Sequence, residues 1–184
     1  PVSPERLRHR GPVRVLIADD HQVVREGLRM ILSEERETIE IVGEATDGHE
    51  VLRLAERLRP DVVLMDLLMP GLDGIAATER LRAEGGGARV LILTTYADDE
   101  RVRDAIRAGA TGYLLKDVLR AQLVQAIHAA ALGVPTLDPR AQPVHRPDEL
   151  PAGRAVASPA RRAAGAGGPR AARAGGGRGD RLRG

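Results

Sequence analysis

Short hydrophobic segments alternate along the chain with longer stretches in which apolar residues recur every three or four positions. The short segments span residues 13–18, 39–45, 62–66, 89–94 and 111–116. Because a strand with one face in water alternates apolar with polar residues, the nearly continuous runs at 13–18, 62–66, 89–94 and 111–116 predict strands buried on both faces. Residues 39–45 predict a further strand. The stretches between them predict amphipathic helices, each with one buried stripe. The residues expected to face inward are Val24, Leu28, Ile31, Leu32, Val51, Leu54, Ala55, Leu58, Ile75, Thr78, Leu81, Val102, Ala105, Ile106, Leu119, Leu123, Ile127 and Ala130.

Acidic residues, proline and glycine mark the ends of the predicted helices. The helices start at or near Asp20, Asp47, Gly74, Asp98 and Asp117. Asp47 and Glu50 have the spacing of a capping box, in which two side chains satisfy free backbone N–H groups. The second helix stops at Pro60, because the residue before a proline is disfavoured in the helical region. The later helices end near Glu84, Gly109 and Gly133.

Alternating strands and helices predict an α/β fold with a doubly wound, five-stranded parallel sheet, because the connections between parallel strands are right-handed crossovers. In the flavodoxin-like strand order 2-1-3-4-5, strands one and three are neighbours, and ligands bind in the crevice at the carboxyl ends of the strands. Polar residues end four of the strands: Asp19-Asp20, Asp66, Thr94 and Lys116. We therefore expect these side chains to share one site.

Three carboxylates at one edge of a sheet repel one another. At a separation of about 4 Å and an effective dielectric constant near 20, each pair costs about 4 kcal/mol. Either some of Asp19, Asp20 and Asp66 are protonated, or a cation lies among them. Donor sets made of oxygen favour a hard ion, and here Mg²⁺ held partly through water. The alternative is that Asp19 and Asp20 only cap the first helix.

The same edge carries the groups needed to transfer a phosphoryl group to a carboxylate. Asp66 is the candidate nucleophile, the Thr94 hydroxyl can donate a hydrogen bond to a phosphoryl oxygen, and the Lys116 ammonium can neutralise charge. Lys116 is the one lysine among 28 basic residues, although a surface position is the alternative. Tyr113 is either core filler or part of a switch, and Thr95 is expected to be a packing or loop residue.

The histidines are not assigned a role, because their positions show no metal-ligand spacing. They are His9, His21, His49, His128 and His145. His21 follows the acidic pair directly, but a solvated position in the first turn of a helix is the expected one.

Composition limits the classes of protein that remain. The chain has 184 residues, 42% of them hydrophobic, and no cysteine, which excludes disulfides and thiolate metal sites. No apolar stretch approaches the roughly 20 residues that cross a bilayer, and the polar residues 1–12, read as a disordered leader, lack the apolar segment of a signal peptide. A cytoplasmic protein without a membrane partner is expected.

Charge and composition separate the last part of the chain from the rest. Residues 1–133 carry 18 basic and 22 acidic side chains, whereas residues 134–184 carry 10 arginines and four acids. The high pI therefore belongs to the tail and does not indicate nucleic-acid binding by the folded part. Residues 153–184 are largely Gly, Ala, Arg and Pro, with neither helical nor strand periodicity. Such a composition predicts a disordered segment over 134–184.

Residues 13–133 resemble the receiver domain of bacterial two-component response regulators, which has a CheY-like fold. The matching motifs are Ala18-Asp19-Asp20-His21, Met65-Asp66-Leu67-Leu68-Met69-Pro70-Gly71-Leu72-Asp73-Gly74, Leu93-Thr94-Thr95-Tyr96 and Ala108-Gly109-Ala110-Thr111-Gly112-Tyr113-Leu114-Leu115-Lys116-Asp117. The wording Leu-Thr-Thr-Tyr and Gly-Tyr-Leu-Leu-Lys-Asp is similar to that of the NarL/FixJ, or LuxR-type, transcription regulators.

The resemblance implies that Asp66 accepts a phosphoryl group from a sensor histidine kinase. It implies that Asp20, Asp66 and the main-chain carbonyl of Leu68 hold Mg²⁺, with Asp19 acting through water. It makes Thr94 and Tyr113 a switch pair and places Lys116 on the phosphate. Self-phosphorylation and slow autodephosphorylation are then the only reactions expected, with homodimerisation on phosphorylation.

The tail departs from the family pattern, in which a helix-turn-helix follows the receiver and enters the major groove of DNA. Residues 134–184 show no such motif, and a shifted reading frame or a truncated product is our hypothesis for them. Their arginines support only non-specific, salt-sensitive attraction to nucleic acid.

Three functions remain open from the sequence. The first is a phosphorylation-switched transcription regulator with a missing or altered output. The second is a stand-alone receiver that acts as a phosphorelay shuttle or by protein contact. The third is a Mg²⁺-dependent phosphohydrolase of the haloacid-dehalogenase type, but that family has a second aspartate two residues after the nucleophile, where this chain has Leu68.

Overall fold

The computed structural model describes residues 11–95 and 98–139. The strands are β1 (Val13–Ala18), β2 (Ile39–Ala45), β3 (Val62–Met65), β4 (Arg89–Thr94), β5 (Gly112–Leu115) and β6 (Thr136–Leu137). The helices are α1 (Gln22–Ser33), α2 (Gly48–Leu58), α3 (Gly74–Ala83), α4 (Asp99–Ala108) and α5 (Arg120–Ala131). The predictions of disorder for residues 1–10 and 140–184, and Tyr96 of the predicted motif, lie outside the described residues.

The strands form one parallel sheet in the order β2-β1-β3-β4-β5-β6. The predicted order of the first five strands is therefore confirmed. The sheet has a sixth strand at its edge that was not predicted, so regular structure continues past Gly133 into the segment expected to be disordered. Two residues are too few to show a hydrophobic pattern, and β6 is held by backbone bonds such as Asp138 N–H to the Tyr113 carbonyl at 2.8 Å.

The observed helices begin where hydrogen bonds close their first turns, which is not always at the acidic residue that was predicted to start them. Asp47 caps α2 by accepting a hydrogen bond from Glu50 N–H at 2.9 Å. The capping box is only half formed, because the Glu50 carboxylate accepts from Thr46 N–H at 3.0 Å instead. α5 begins at Arg120 and not at Asp117, because a turn closed by Val118 N–H to the Leu115 carbonyl precedes it.

Side chains from the two faces of the sheet form two apolar clusters. α2, α3 and α4 cover one face, where Val63, Met65 and Ile92 are buried. α1 and α5 cover the other, where Val15, Ile17 and Leu64 are buried. Burial on both faces is what the continuous hydrophobic runs predicted.

Two residues that were expected to face inward do not. Ile106 is 42% exposed, because the buried stripe of α4 runs through Val102, Ala105 and Ala108 and leaves the isoleucine at its margin. Leu119 is 69% exposed, because it precedes α5 as the N-cap residue and does not belong to the helical stripe. Among the described helices, none is long and apolar enough to cross a membrane.

Candidate functional site

The carboxyl edge of the sheet brings the predicted acidic residues together. Ala18 of β1 pairs with Met65 of β3, so Asp19 and Asp66 are the first residues beyond two neighbouring strands. The Asp66 N–H donates to the Ala18 carbonyl at 2.8 Å, which extends the pairing by one residue. One carboxylate oxygen each from Asp19, Asp20 and Asp66 and one ring nitrogen of His21 lie within 4.8 Å of one another.

Helix α3 passes very close to the backbone that carries Asp66. The Gly74 N–H donates to the Leu67 carbonyl at 3.0 Å. A Cβ atom at position 74 would lie 2.1 Å from the Asp66 carbonyl oxygen, which no side chain can occupy. Glycine at the start of α3 therefore lets the helix pack directly under the site.

Lys116 supplies the positive charge of the site. Its backbone N–H donates to the Thr94 carbonyl at 2.8 Å, which fixes the residue beside the end of β4. Its Nζ lies 2.5 Å from Asp19 Oδ2 and 3.2 Å from Asp66 Oδ2, and the side chain is only 15% exposed. Lys116 is therefore not a surface lysine, and its ammonium group offsets repulsion between two buried carboxylates.

Asp66 is 5% exposed, and both of its carboxylate oxygens have partners. Oδ1 accepts a hydrogen bond from Leu67 N–H at 2.9 Å, and Oδ2 faces Lys116. Burial raises the pKa of Asp66 above its usual value, although Lys116 acts in the opposite direction; Asp19 raises it further. Ionisation of Asp66 in this site therefore costs free energy, and an added cation would reduce that cost.

The acidic pair is bound to the start of α1 as well as to Lys116. Asp19 Oδ1 accepts a hydrogen bond from His21 N–H at 2.9 Å, but this bond precedes the helix: the N-cap residue of α1 is His21, and no side chain makes a capping hydrogen bond there. The His21 imidazole is exposed, and its Nδ1 lies 2.8 Å from Asp20 Oδ1 and 3.3 Å from Asp19 Oδ1. Sequence reasoning did not place His21 in the cluster; its position directly after two aspartates was the available signal.

Arg25 is a second residue that the sequence did not identify. Its Nη1 donates to the Asp19 main-chain carbonyl at 2.8 Å, and its Nε donates to Glu44 Oε2 at 3.1 Å. The side chain is only 14% exposed. Arg25 therefore ties α1 and β2 to the backbone of the acidic pair, and no local sequence pattern indicates such a contact.

Thr94 and Tyr113 are both fully buried. Ile92 of β4 pairs with Tyr113 of β5, so Tyr113 lies two residues deeper in the sheet than Thr94. Burial raises the pKa of Tyr113 to about 12. Thr95 is exposed, and Leu68 is 41% exposed in the loop after Asp66.

The donor set fits a hard divalent cation. Asp19, Asp20 and Asp66 offer carboxylate oxygens within a space that one ion can span. Mg²⁺ binds few carboxylates and keeps several waters, which suits a partly open notch. Asp20 has a side chain that is 32% exposed, so the notch is reachable from solvent.

Comparison with known proteins places the chain in a family. Residues 15–128 match the model of the response regulator receiver domain, and the chain belongs to that family. It is of the NarL/LuxR type, since its relatives are regulators of that kind. The chain is 48% identical over 126 residues to the transcriptional regulatory protein LiaR of Bacillus subtilis, an alignment that covers 68% of this chain and 59% of LiaR.

Solved structures give the same result. The signal receiver domain of NarL from Mycobacterium tuberculosis is 38% identical with a TM-score of 0.65, and the match covers 67% of this chain and 99% of that one. A LuxR-family response regulator from Aurantimonas is 42% identical with a TM-score of 0.66, covering 71% and 92% of the two chains. The chain spans between 52% and 63% of the length of the curated relatives compared with it.

Proposed function

We propose that this protein is a response regulator whose receiver domain is phosphorylated on Asp66 by a sensor histidine kinase. The observation that carries the proposal is the position of the Asp66 carboxylate, which lies 3.2 Å from the Lys116 ammonium and beside two further aspartates. A carboxylate in these surroundings is a nucleophile with positive charge already in place for the incoming phosphoryl oxygens.

The reaction forms a bond between an Asp66 carboxylate oxygen and phosphorus while the bond between phosphorus and the donor breaks. A phosphohistidine donor leaves as imidazole, which takes up a proton. Lys116 neutralises part of the charge, and the Thr94 hydroxyl donates to a phosphoryl oxygen. Asp20, Asp66 and the Leu68 carbonyl would hold Mg²⁺, with Asp19 acting through water, and the bound ion would supply the remaining positive charge.

The added phosphate carries a charge between about −1.5 and −2 and three acceptor oxygens, enough to rearrange a local contact. Thr94 moves toward it, and the Tyr113 ring, two residues deeper on the next strand, follows to fill the space. This rearrangement is the switch that promotes homodimerisation.

Control of transcription is the output that the relatives support, since LiaR is named a transcriptional regulatory protein. Slow loss of the protein's own phosphate is expected, without turnover of a phosphate ester. A stand-alone receiver would be phosphorylated normally but would give no specific footprint on DNA.

Labelling with acetyl phosphate tests the central step. We expect the full-length protein to gain one phosphoryl group on Asp66 in the presence of Mg²⁺, and Asp66→Asn to gain none. Intact-mass measurement after brief incubation, with and without chelator, gives the readout. The matched control is Asp47→Asn, which changes an aspartate at the same edge of the sheet that lies outside the cluster.

Labelling of Asp66→Asn at the same rate as the unmodified protein would contradict the assignment of the phosphoacceptor. Labelling that is unchanged by removal of the metal would contradict the role of Mg²⁺. Circular dichroism of Asp66→Asn shows whether the variant retains the fold.

A further inference from the structure

His21 adds a nitrogen donor to a notch that otherwise offers oxygen. Its Nδ1 lies 2.8 Å from Asp20 Oδ1 and 3.3 Å from Asp19 Oδ1. The His21 nitrogen and one oxygen of Asp66 also belong to the set of donor atoms within 4.8 Å of one another. The imidazole is 67% exposed, so it can turn toward the notch without displacing a packed neighbour.

The spacing suits ligands of one ion. Two donors at right angles on an ion with bonds of about 2.1 Å lie about 3 Å apart. The distances from His21 Nδ1 to the two aspartates lie on either side of that value. A single ion can therefore replace the hydrogen bond between His21 and Asp20 while both side chains stay near their present positions.

Lys116 leaves this side of the notch available. Its ammonium group lies against Oδ2 of Asp19 and Oδ2 of Asp66. The oxygens nearest to His21 are Oδ1 of Asp19 and Oδ1 of Asp20. The lysine and the histidine therefore contact different oxygens of the acidic cluster.

We propose that His21 is a further metal ligand of the notch, which raises its affinity for borderline transition ions such as Zn²⁺ or Co²⁺ relative to its affinity for Mg²⁺. Imidazole suits these ions, whereas Mg²⁺ prefers oxygen, so the nitrogen raises affinity for one class of ion selectively. The inference deepens the proposed function, because it concerns the ion that occupies the phosphorylation notch.

The test compares affinities for Zn²⁺ and Mg²⁺, each added alone to the full-length, unphosphorylated protein at about pH 8, where imidazole groups are largely neutral. Zn²⁺ binding is measured by competition with a chromogenic chelator, and Mg²⁺ binding by calorimetry. We expect the ratio of Zn²⁺ to Mg²⁺ affinity to fall at least tenfold in His21→Ala. The visible absorption of bound Co²⁺ should change in the same variant, because a nitrogen ligand is lost.

Two further variants make the result specific to His21. His49→Ala removes another exposed histidine, from α2, and should leave the affinity ratio unchanged. His21→Gln keeps a polar side chain beside Asp20 without an imidazole, and it should behave like His21→Ala. An unchanged ratio in His21→Ala, whether neither affinity changes or both fall together, would overturn the inference.

Failure of this inference is distinguishable from failure of the proposed function. Ion binding is measured without a phosphodonor, so a His21-dependent ratio in a protein that acetyl phosphate does not label would leave only the phosphorylation proposal wrong. Labelling of Asp66 with a His21-independent ratio would do the reverse.

Discussion

The interior of the central strands and the carboxyl ends of the same strands obey opposite rules. In β3, the residues from Val62 to Met65 are at most 1% exposed and entirely apolar. The next residue, Asp66, is almost as buried but carries a carboxylate whose pKa burial raises. Adjacent residues of one segment therefore have opposite effects: the side chain of Met65 stabilises the fold by its burial, and the burial of the Asp66 carboxylate costs free energy.

This difference indicates where selection for stability ends and selection for chemistry begins. An apolar side chain in the interior gains from burial, at about 25 cal/mol per Å² of surface removed from water. A buried carboxylate gains nothing from burial and remains tolerable here because Lys116 lies 3.2 Å away. The site therefore destabilises the fold locally, whereas the strand interiors stabilise it. Removing a buried apolar side chain should lower the free energy of unfolding, and removing the charge of Asp66 should raise it.

Leu64→Ala should produce the largest effect, because the side chain is 1% exposed in the cluster under α1 and α5. Removal of a buried leucine side chain leaves a cavity and lowers the free energy of unfolding by about 3 kcal/mol. Urea denaturation followed by circular dichroism measures the loss. Leu68→Ala, four residues further on at a position that is 41% exposed, is the control and should change stability by less than about 0.5 kcal/mol. Equal losses for the two variants would contradict the comparison.

Gly74→Ala should have the next largest effect on stability, because it forces α3 away from the backbone that carries Asp66. The new Cβ would lie 2.1 Å from the Asp66 carbonyl oxygen, so either α3 or the loop after β3 must shift. We expect a loss of about 2 kcal/mol, the scale of an overpacked position, together with weaker labelling by acetyl phosphate.

Gly27→Ala is the matched control, because it also lies in a helix but its added Cβ would have no atom within 4 Å apart from its chain neighbours and the backbone of its own helix. Alanine there should raise the free energy of unfolding by about 0.5–1 kcal/mol through helix propensity. Normal stability and normal labelling in Gly74→Ala would show that the close approach does not matter.

Asp66→Asn should have the opposite sign and stabilise the protein at pH 7 by about 1–2 kcal/mol, the scale of an unfavourably buried polar group. The folded-state pKa of Asp66 lies above its unfolded value, so ionisation of the carboxyl opposes folding. That penalty is fully present above the folded-state pKa and disappears as the pH falls toward the unfolded value. The gain in Asp66→Asn should therefore shrink on acidification. Urea titrations from pH 7 downward measure it, and a gain that grows at low pH would contradict the assigned direction.

The strands and the acidic site could be predicted from the sequence because both depend on local or topological rules. A run such as residues 89–94 by itself indicates a strand buried on both faces. The carboxyl ends of parallel strands lie at one edge of the sheet, and this rule places Asp19, Asp66 and Lys116 together. No long-range energy had to be evaluated. The placement of these residues around one notch follows from strand order alone.

The features that were missed depend on contacts between distant segments. Arg25 contacts Glu44 of β2 and the Asp19 carbonyl, and nothing in its own helix signals either partner. β6 forms because its backbone pairs with the edge of β5. A segment of two residues is too short for its composition to predict that pairing. Ile106 was misplaced because a helical period fits several stripes, and packing against the sheet selects the one through Ala108.

Asp47→Ala should have the smallest effect on stability. It also gives the most direct comparison with Asp66, because Asp47 follows β2 at the same edge of the sheet as the site. Its carboxylate accepts Glu50 N–H at 2.9 Å and caps α2, so its removal should lower the free energy of unfolding by about 1 kcal/mol. Asp47→Asn preserves an oxygen acceptor and should cost only a few tenths of that amount. Two aspartates at one sheet edge would then contribute with opposite signs, one as a helix cap and one as a reactive group. Stabilisation by Asp47→Ala, measured by the same urea titration as Asp66→Asn, would show that the whole edge is strained and not the notch alone.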